Sequence, residues 1–215
     1  MEQFIEFLPN LGRGALTTLW LTIGAGVVCV LISFTFGTAR TSRYRAVAWT
    51  ANVYVEFFRG TSVLVQMFWI FFALPLFGIF IEPMTAGILA LGLNTGAYGA
   101  EIVRGAIQAV PKDQIEAAIA LNYTRAQRLR HVVLPQALVI MLPPMGNLGI
   151  DCIKISATVS LITIADLAFE ARLYRSSTGA NLLPFVSILV VYYIYSTAVA
   201  RGVLKLERKL SRYRL

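Results

Sequence analysis

The chain has 215 residues, of which 57% are hydrophobic and only 14% are charged. An ordinary soluble domain carries about 25% charged residues, so this composition argues against a water-soluble protein. The net charge of +8 does not require a nucleic-acid partner, because the basic residues lie between apolar runs, where they indicate membrane topology and contact with anionic membrane lipid.

Five apolar runs without Asp, Glu, Lys or Arg follow one another along the chain. A membrane span needs about 20 apolar residues, and a soluble helix needs a polar face that these runs lack. We therefore predict an all-α integral membrane protein that forms a single domain over residues 1–215. The predicted spans cover residues 14–39, 61–81, 83–104, 134–165 and 178–204, and a polar loop covers 105–133.

The basic residues predict the orientation of these spans. Most of the nineteen Lys and Arg residues follow the first, third and fifth spans. Short cytoplasmic loops retain basic residues, so these three segments are predicted to be cytoplasmic. The N-terminus is therefore expected outside the cell and the C-terminus in the cytoplasm.

The third span carries a polar stripe that is a candidate for a solute pathway. Asn94, Tyr98 and Glu101 are spaced at i, i+4 and i+7 and so share one face of a helix. A purely structural role is the alternative, with Asn94 bonded across a helix interface and Glu101 paired with Arg104.

Two other features near these spans also have structural interpretations. Gly92, Gly96 and Ala100 form a strip of small residues that favours close helix packing. Before the second span, Glu56 and Arg59 are three residues apart and could form an ion pair, although a gate near the cytoplasmic face is an equally open hypothesis.

The polar loop predicts two short helices separated by a break. Pro111 suits a first helical position, and Lys112 starts a ten-residue amphipathic stretch. Asn122 is expected in the left-handed conformation that ends a helix. Thr124 and Gln127 have the spacing of a capping box that starts the next helix. The pattern favours either a docking surface for another protein or an interfacial helix against lipid.

The fourth span contains two charged residues, Asp151 and Lys154, on one helical face. Each would cost roughly 2.5–3.5 kcal/mol at mid-bilayer if it faced lipid, so both are expected to face protein or water. They either line a path and meet the amine and carboxylate of a zwitterion, or form an internal salt bridge. Pro143 and Pro144 interrupt the same span, which places this region at the predicted core of the pore.

Catalytic and metal-binding patterns are missing from the sequence. Cys29 and Cys152 lie in apolar runs and His131 stands alone, so we predict no disulfide and no metal site. No Gly-Lys dipeptide occurs, which excludes a phosphate-binding loop of the form G-x-x-x-x-G-K-[ST]. We expect this chain to bind no cofactor and to catalyse no reaction itself.

The polar loop closely resembles the E-A-A-x3-G-x9-I-x-L-P signature of bacterial ABC-type import permeases. The matching residues are Glu116, Ala117, Ala118, the Leu121-Asn122 turn, Val132, Leu134 and Pro135. One departure is Asn122, which replaces the glycine of that family. The stretches at residues 55–61, 94–98 and 101–105 are similar to the polar amino-acid branch of these permeases.

A narrower resemblance is to ectoine and hydroxyectoine permeases. It is carried by FFRGTS at residues 57–62, LPLFG at 74–78 and the Leu121-Asn122 variant. At residues 154–157 this chain has KISA where much of the amino-acid branch has KDTS, and Asp151 is unexpected for that branch.

The resemblance implies a type I ABC importer permease fold in the bacterial cytoplasmic membrane, with the loop as a coupling helix. It further implies an ATPase subunit that uses ATP and Mg, a second permease subunit and an extracytoplasmic solute-binding protein. The competing classes are a stand-alone secondary transporter, which would normally show inverted repeats, and a membrane enzyme, which would need a convergent catalytic set. The sequence shows neither feature.

Overall fold

The computed structural model describes residues 2–211, which are almost entirely helical and contain no strand. The helices are α1 (Glu2–Ala39), α2 (Arg45–Gly60), α3 (Val63–Phe68), α4 (Pro83–Gln108), α5 (Lys112–Ala120), α6 (Arg125–Arg128), α7 (Leu134–Ile155), α8 (Leu167–Thr178) and α9 (Leu182–Ser211). The predicted all-α fold class is confirmed.

Three helical stretches in the described range are long and apolar enough to cross a membrane, namely Phe7–Ala39, Arg125–Ile162 and Leu182–Leu210. A bent pair, Arg45–Gly60 with Val63–Phe77, raises the number to four if it counts as one span. This number is smaller than the five predicted spans, because α4 does not belong to the set. Helix α4 is nonetheless 26 residues long, and thirteen of these residues are buried.

The predicted second span, residues 61–81, contains the second part of a bent helical pair. The chain turns by 100° between α2 and the helix that begins at Val63. That helix continues from α3 through a π-helical turn (Trp69–Ala73) and a 3-10 turn (Leu74–Phe77). Fifteen residues at 1.5 Å each reach only about 22 Å, which is less than a hydrocarbon core of about 30 Å. This segment does not cross such a core as one straight helix.

The other predicted spans differ in their ends. The first is part of a longer helix, since α1 begins at Glu2. The fourth extends backwards, because α6 runs through a π-helical turn (Leu129–Val133) into α7. A proline lacks the N–H that would bond the carbonyl four residues earlier, and both π-helical turns lie just before a proline, Pro75 or Pro135.

Helices α1 and α4 pack closely against each other. A Cβ atom added at Gly92 would lie 2.5 Å from Cβ of Val28, and one at Gly96 would lie 2.6 Å from Cγ2 of Ile32. The Ser33 hydroxyl oxygen lies 3.3 Å from the Gly96 carbonyl oxygen. The predicted packing role of these glycines is confirmed, because no larger residue fits at this distance.

Helix α8 is absent from the predicted elements. The buried Asp166 carboxylate accepts a hydrogen bond from the Phe169 N–H at 2.8 Å and so caps its start. Its end is at Gly179, which has φ of 72°. The Leu167 N–H donates to the buried Thr18 hydroxyl at 3.2 Å and joins α8 to α1.

Candidate coupling surface and translocation cleft

The loop between α4 and α7 forms a compact, well-capped turn. Asn122 has φ of 58°, in the left-handed region. Its N–H donates to the Ile119 carbonyl at 2.9 Å, and the Tyr123 N–H donates to the Ala118 carbonyl at 3.0 Å. These two bonds form a Schellman motif, which satisfies the last carbonyls of α5. The predicted conformation of Asn122 is confirmed.

The capping box that starts α6 is also confirmed. The Thr124 hydroxyl accepts from the Gln127 N–H at 3.3 Å, and the Thr124 N–H donates to the Gln127 side-chain oxygen at 2.9 Å. Pro111 differs from the prediction by one position, since it is the N-cap of α5 and the helix starts at Lys112.

Helix α5 has one inward face and one exposed face. Ala118 is buried, and Ile115 packs on a cluster that joins α4 to α7 through Val103, Val133 and Met141, among others. Exposed residues of the segment are Glu116, Ala117, Ile119, Ala120, Leu121, Asn122 and Tyr123. Leu121 is 69% exposed beside the small Ala117, so the segment presents an apolar surface that another protein can approach closely.

Next to the same helices, the Glu101 carboxylate binds three arginines. It accepts hydrogen bonds from Arg40 after α1 and from Arg104 one turn along α4, and the Arg59 guanidinium at the end of α2 lies 3.5 Å away. The predicted Glu101 to Arg104 pair is therefore present. The Glu56 to Arg59 pair, one of the two alternatives left open, is not formed, because Arg59 binds Glu101 and the described residues contain no ion pair at Glu56.

The end of α2 is held by side chains from α3 and α4. The amide nitrogens of Asn94 and Gln66 donate to the Phe58 carbonyl at 2.8 and 3.0 Å. Tyr98 lies under the Arg59 guanidinium, 5.3 Å from ring centroid to Cζ. These contacts fix both the bend after α2 and the position of Arg59, because an unpaired carbonyl at a helix end otherwise costs free energy when water is excluded.

A cleft of about 310 Å³ lies between α4 and α7, next to this arginine cluster. The residues that line it are Arg59, Tyr98, Glu101, Ile102, Pro144, Asn147, Leu148 and Asp151. Lys154 lies beside it, with its ammonium nitrogen 3.7 Å from the Asp151 carboxylate. This pair is 62% and 60% exposed in the isolated chain, so neither charge is buried by the chain itself.

Residues 30–212 match the family model described as the binding-protein-dependent transport system inner membrane component. A probable amino-acid ABC transporter permease of Sinorhizobium fredii is 42% identical over 97% of this chain and 90% of that protein. The glutamine transport system permease of Escherichia coli is 36% identical over 94% of each. The chain belongs to this permease family. A crystal structure of an amino acid ABC transporter with histidines superposes on the permease with a TM-score of 0.88 and 36% identity, over 95% of this chain and 96% of that one.

Membership of the family establishes three points about the permease. It is a multi-pass membrane component of an ABC importer, it has the type I permease fold, and ATP is hydrolysed by a separate subunit. The stand-alone secondary transporter and the membrane enzyme are therefore rejected.

The predicted pathway residues fall into two groups in the permease. Tyr98, Glu101 and Asp151 line the cleft, and Lys154 borders it. Asn94 does not line it, because it is buried and bonded to the Phe58 carbonyl. Sequence reasoning did not include Arg59 and Asn147 among the pathway residues. Asn147 precedes Asp151 by one helical turn, and that spacing could have identified it.

Proposed function

We propose that the permease moves a small polar zwitterion into the cell, either a polar amino acid or ectoine or hydroxyectoine, and that an ATPase subunit drives it through α5. The observation that carries this proposal is the exposed segment from Glu116 to Asn122, which interrupts the connection between the two helices that line the cleft. Leu134 and Pro135 begin the second of these helices.

The proposed assembly contains a second permease subunit, an ATP-binding subunit and an extracytoplasmic solute-binding protein. A second permease is supported by Asp151 and Lys154, because two exposed intramembrane charges must meet protein or water rather than lipid. The mechanism would be a switch between inward-facing and outward-facing states of the permease pair. ATP and Mg would be bound by the ATPase subunit.

Single cysteines test the orientation and the coupling surface together. Ala117→Cys is expected to resist a membrane-impermeant maleimide in intact cells and to react after permeabilisation, since the proposal puts α5 in the cytoplasm. Ser177→Cys, at the exposed end of α8, is the matched control and should react in intact cells. Reaction of Ala117→Cys from outside would refute the proposed topology.

The same two variants test the docking of the ATPase subunit. A short thiol cross-linker should join Ala117→Cys, but not Ser177→Cys, to a co-purified ATPase subunit, and uptake should be sensitive to vanadate. An interfacial lipid helix predicts no such cross-link, and that result would reject the docking proposal.

The substrate and its path need separate measurements. Thermal stabilisation of the solute-binding protein by a panel of amino acids and ectoines would identify the solute. We propose that Tyr98, Glu101, Asp151 and Lys154 line its path and that Asn94 supports them. Lys154→Met should reduce uptake while assembly is unchanged. Normal uptake by this variant would remove Lys154 from the path.

A further inference from the structure

The arginine cluster at Glu101 carries more positive charge than its carboxylate can balance. One carboxylate faces three guanidinium groups, those of Arg40, Arg59 and Arg104. The side chains of Arg40 and Arg104 are only 11% and 30% exposed, so water screens this excess poorly. Such a cluster favours binding of an additional anionic group.

Among the three arginines, Arg59 has the most freedom to bind a ligand. Arg40 also donates to the Asn52 side chain, and Arg104 also donates to Gln108. Arg59 makes the longest contact with Glu101, at 3.5 Å, is 41% exposed and lines the cleft. A guanidinium has five N–H donors in a planar fork that matches a carboxylate.

The rigid position of Arg59 comes from neighbouring side chains. Tyr98 stacks on its guanidinium, and the Tyr98 hydroxyl lies 3.5 Å from the Arg59 carbonyl oxygen. Asn94 holds the preceding carbonyl, that of Phe58. Less conformational entropy is therefore lost when Arg59 binds a ligand than when a freely moving side chain does.

The other wall of the cleft carries the opposite charge. Asp151 lies on α7, and its one ion-pair partner among residues 2–211 is the largely exposed Lys154, at 3.7 Å. An ion pair of this length and exposure contributes little to stability, so the Asp151 carboxylate is available to a second cation. Positive and negative groups thus line the same 310 Å³ space from different helices.

We propose that this cleft binds the transported zwitterion in one orientation, with its carboxylate on Arg59 and its cationic group on Asp151, and that Asn94 is a positioning residue for Arg59. The inference rests on the proposed function, since it specifies how the importer holds its substrate. It replaces Lys154 by Arg59 as the group that receives the carboxylate.

Charge-selective thiol reagents test the cleft without any transport assay. Asn147→Cys places a thiol among the lining residues, and the wild-type protein supplies the background because Cys29 and Cys152 are buried. In nanodiscs, an anionic reagent (sulfonatoethyl methanethiosulfonate) and a cationic one (trimethylammonioethyl methanethiosulfonate) are compared by their labelling rates.

Each charged wall of the cleft should raise the labelling rate of the reagent with the opposite charge. In the Asn147→Cys background, Arg59→Gln should reduce the rate of labelling by the anionic reagent about tenfold. Asp151→Asn should reduce the rate of labelling by the cationic reagent about tenfold. Arg59→Lys and Asp151→Glu keep the charges and should retain most of the labelling rate. These variants therefore distinguish an effect of lost charge from an effect of misfolding. Arg43→Gln, an exposed arginine outside the cleft, should change neither rate. Equal rates for both reagents in all variants would overturn the proposal.

Uptake by proteoliposomes of the complete complex then separates this inference from the proposed function. The probe is radiolabelled L-glutamine or ectoine, whichever stabilises the solute-binding protein. Arg59→Gln and Asp151→Asn should each reduce ATP-dependent uptake at least tenfold, while Arg59→Lys recovers part of it. If Arg59→Gln and Asp151→Asn both took up the solute at the wild-type rate, the binding proposal for the cleft would be refuted, but the proposed function would stand. Lack of ATP-dependent uptake by the wild-type complex would refute the proposed function, even if the labelling rates follow the expected pattern.

Discussion

Gly99 of α4 packs against Ser33 of α1, and a single added methyl group tests this contact. A Cβ atom at Gly99 would lie 1.9 Å from the Ser33 hydroxyl oxygen and 2.9 Å from Ser33 Cβ. Ser33 is fully buried and donates to the Cys29 carbonyl at 2.6 Å, so its side chain cannot simply turn away. Overpacking of this kind costs about 1–3 kcal/mol. For a chain of this size, Gly99→Ala should lower the melting temperature by about 2–12 °C.

Two variants make this prediction specific. Gly105 lies on the same helix with open space at its Cβ position, so Gly105→Ala should be neutral or stabilising by about 0.5–1 kcal/mol. The double variant Ser33→Gly with Gly99→Ala removes the clashing atoms and should recover most of the loss. Melting curves of the purified complex in detergent provide the measurement. A Gly99→Ala protein that melts like the wild type would show that α1 and α4 are not in such close contact.

Three further substitutions have expected outcomes that melting curves can measure. Asn122→Ala should destabilise the permease by about 1–2 kcal/mol and reduce co-purification of the ATPase subunit, because alanine resists the left-handed conformation, whereas Asn122→Gly should not. Burial raises the pKa of Asp166 to about 6 from the ordinary 3.8, so the stability of the wild type should fall as pH rises through this range. Asp166→Asn keeps an acceptor for the Phe169 N–H and should abolish that slope, and an unchanged slope would show that another group titrates. Tyr54→Phe removes the hydrogen bond to the Leu93 carbonyl at 2.9 Å and should cost about 0.5–1.5 kcal/mol, while no loss would mean that the bond contributes nothing net.

The turn after α5 was predictable because its signals are local. A left-handed Asn122 and a capping box from Thr124 to Gln127 depend only on neighbouring residues. The resemblance to the permease signature depends on the same short segment. For this reason the sequence predicted both the family and the shape of the turn between α5 and α6.

The bend after α2 and the partner of Arg59 were not predictable in this way. The Phe58 carbonyl is bonded by Asn94, which is 36 residues away in the chain. Spacing along a helix favoured a pair between Glu56 and Arg59, but the tertiary fold brings Arg59 to Glu101, 42 residues away. Local rules fail at these positions because the competing partner comes from another helix.

Helix α8 had local signals that the apolar runs obscured. Asp166 is an N-cap residue, and Gly179 adopts the left-handed conformation that ends a helix. The prediction extended the fourth span to residue 165 and began the fifth at 178, which left only a connection between them. Hydropathy identifies spans well, but a short helix packed against them has no apolar run of its own.

The chain connectivity links α5 to both helices that line the cleft. Helix α4 carries Tyr98 and Glu101, and three residues separate its end from the start of α5. After α5 the chain passes through α6 and the π-helical turn directly into α7, which carries Asn147 and Asp151. Ile115 of α5 packs on the cluster that holds α4 against α7. If an ATPase subunit docks on α5 as proposed, a displacement of α5 would pull on both walls at once and change their separation. Arg59, which binds Glu101 of α4, and Asp151 of α7 line the same cleft. A change of a few ångströms in the separation of α4 and α7 would therefore alter the affinity for a zwitterion that bridges Arg59 and Asp151, and in the proposed mechanism this change releases the solute.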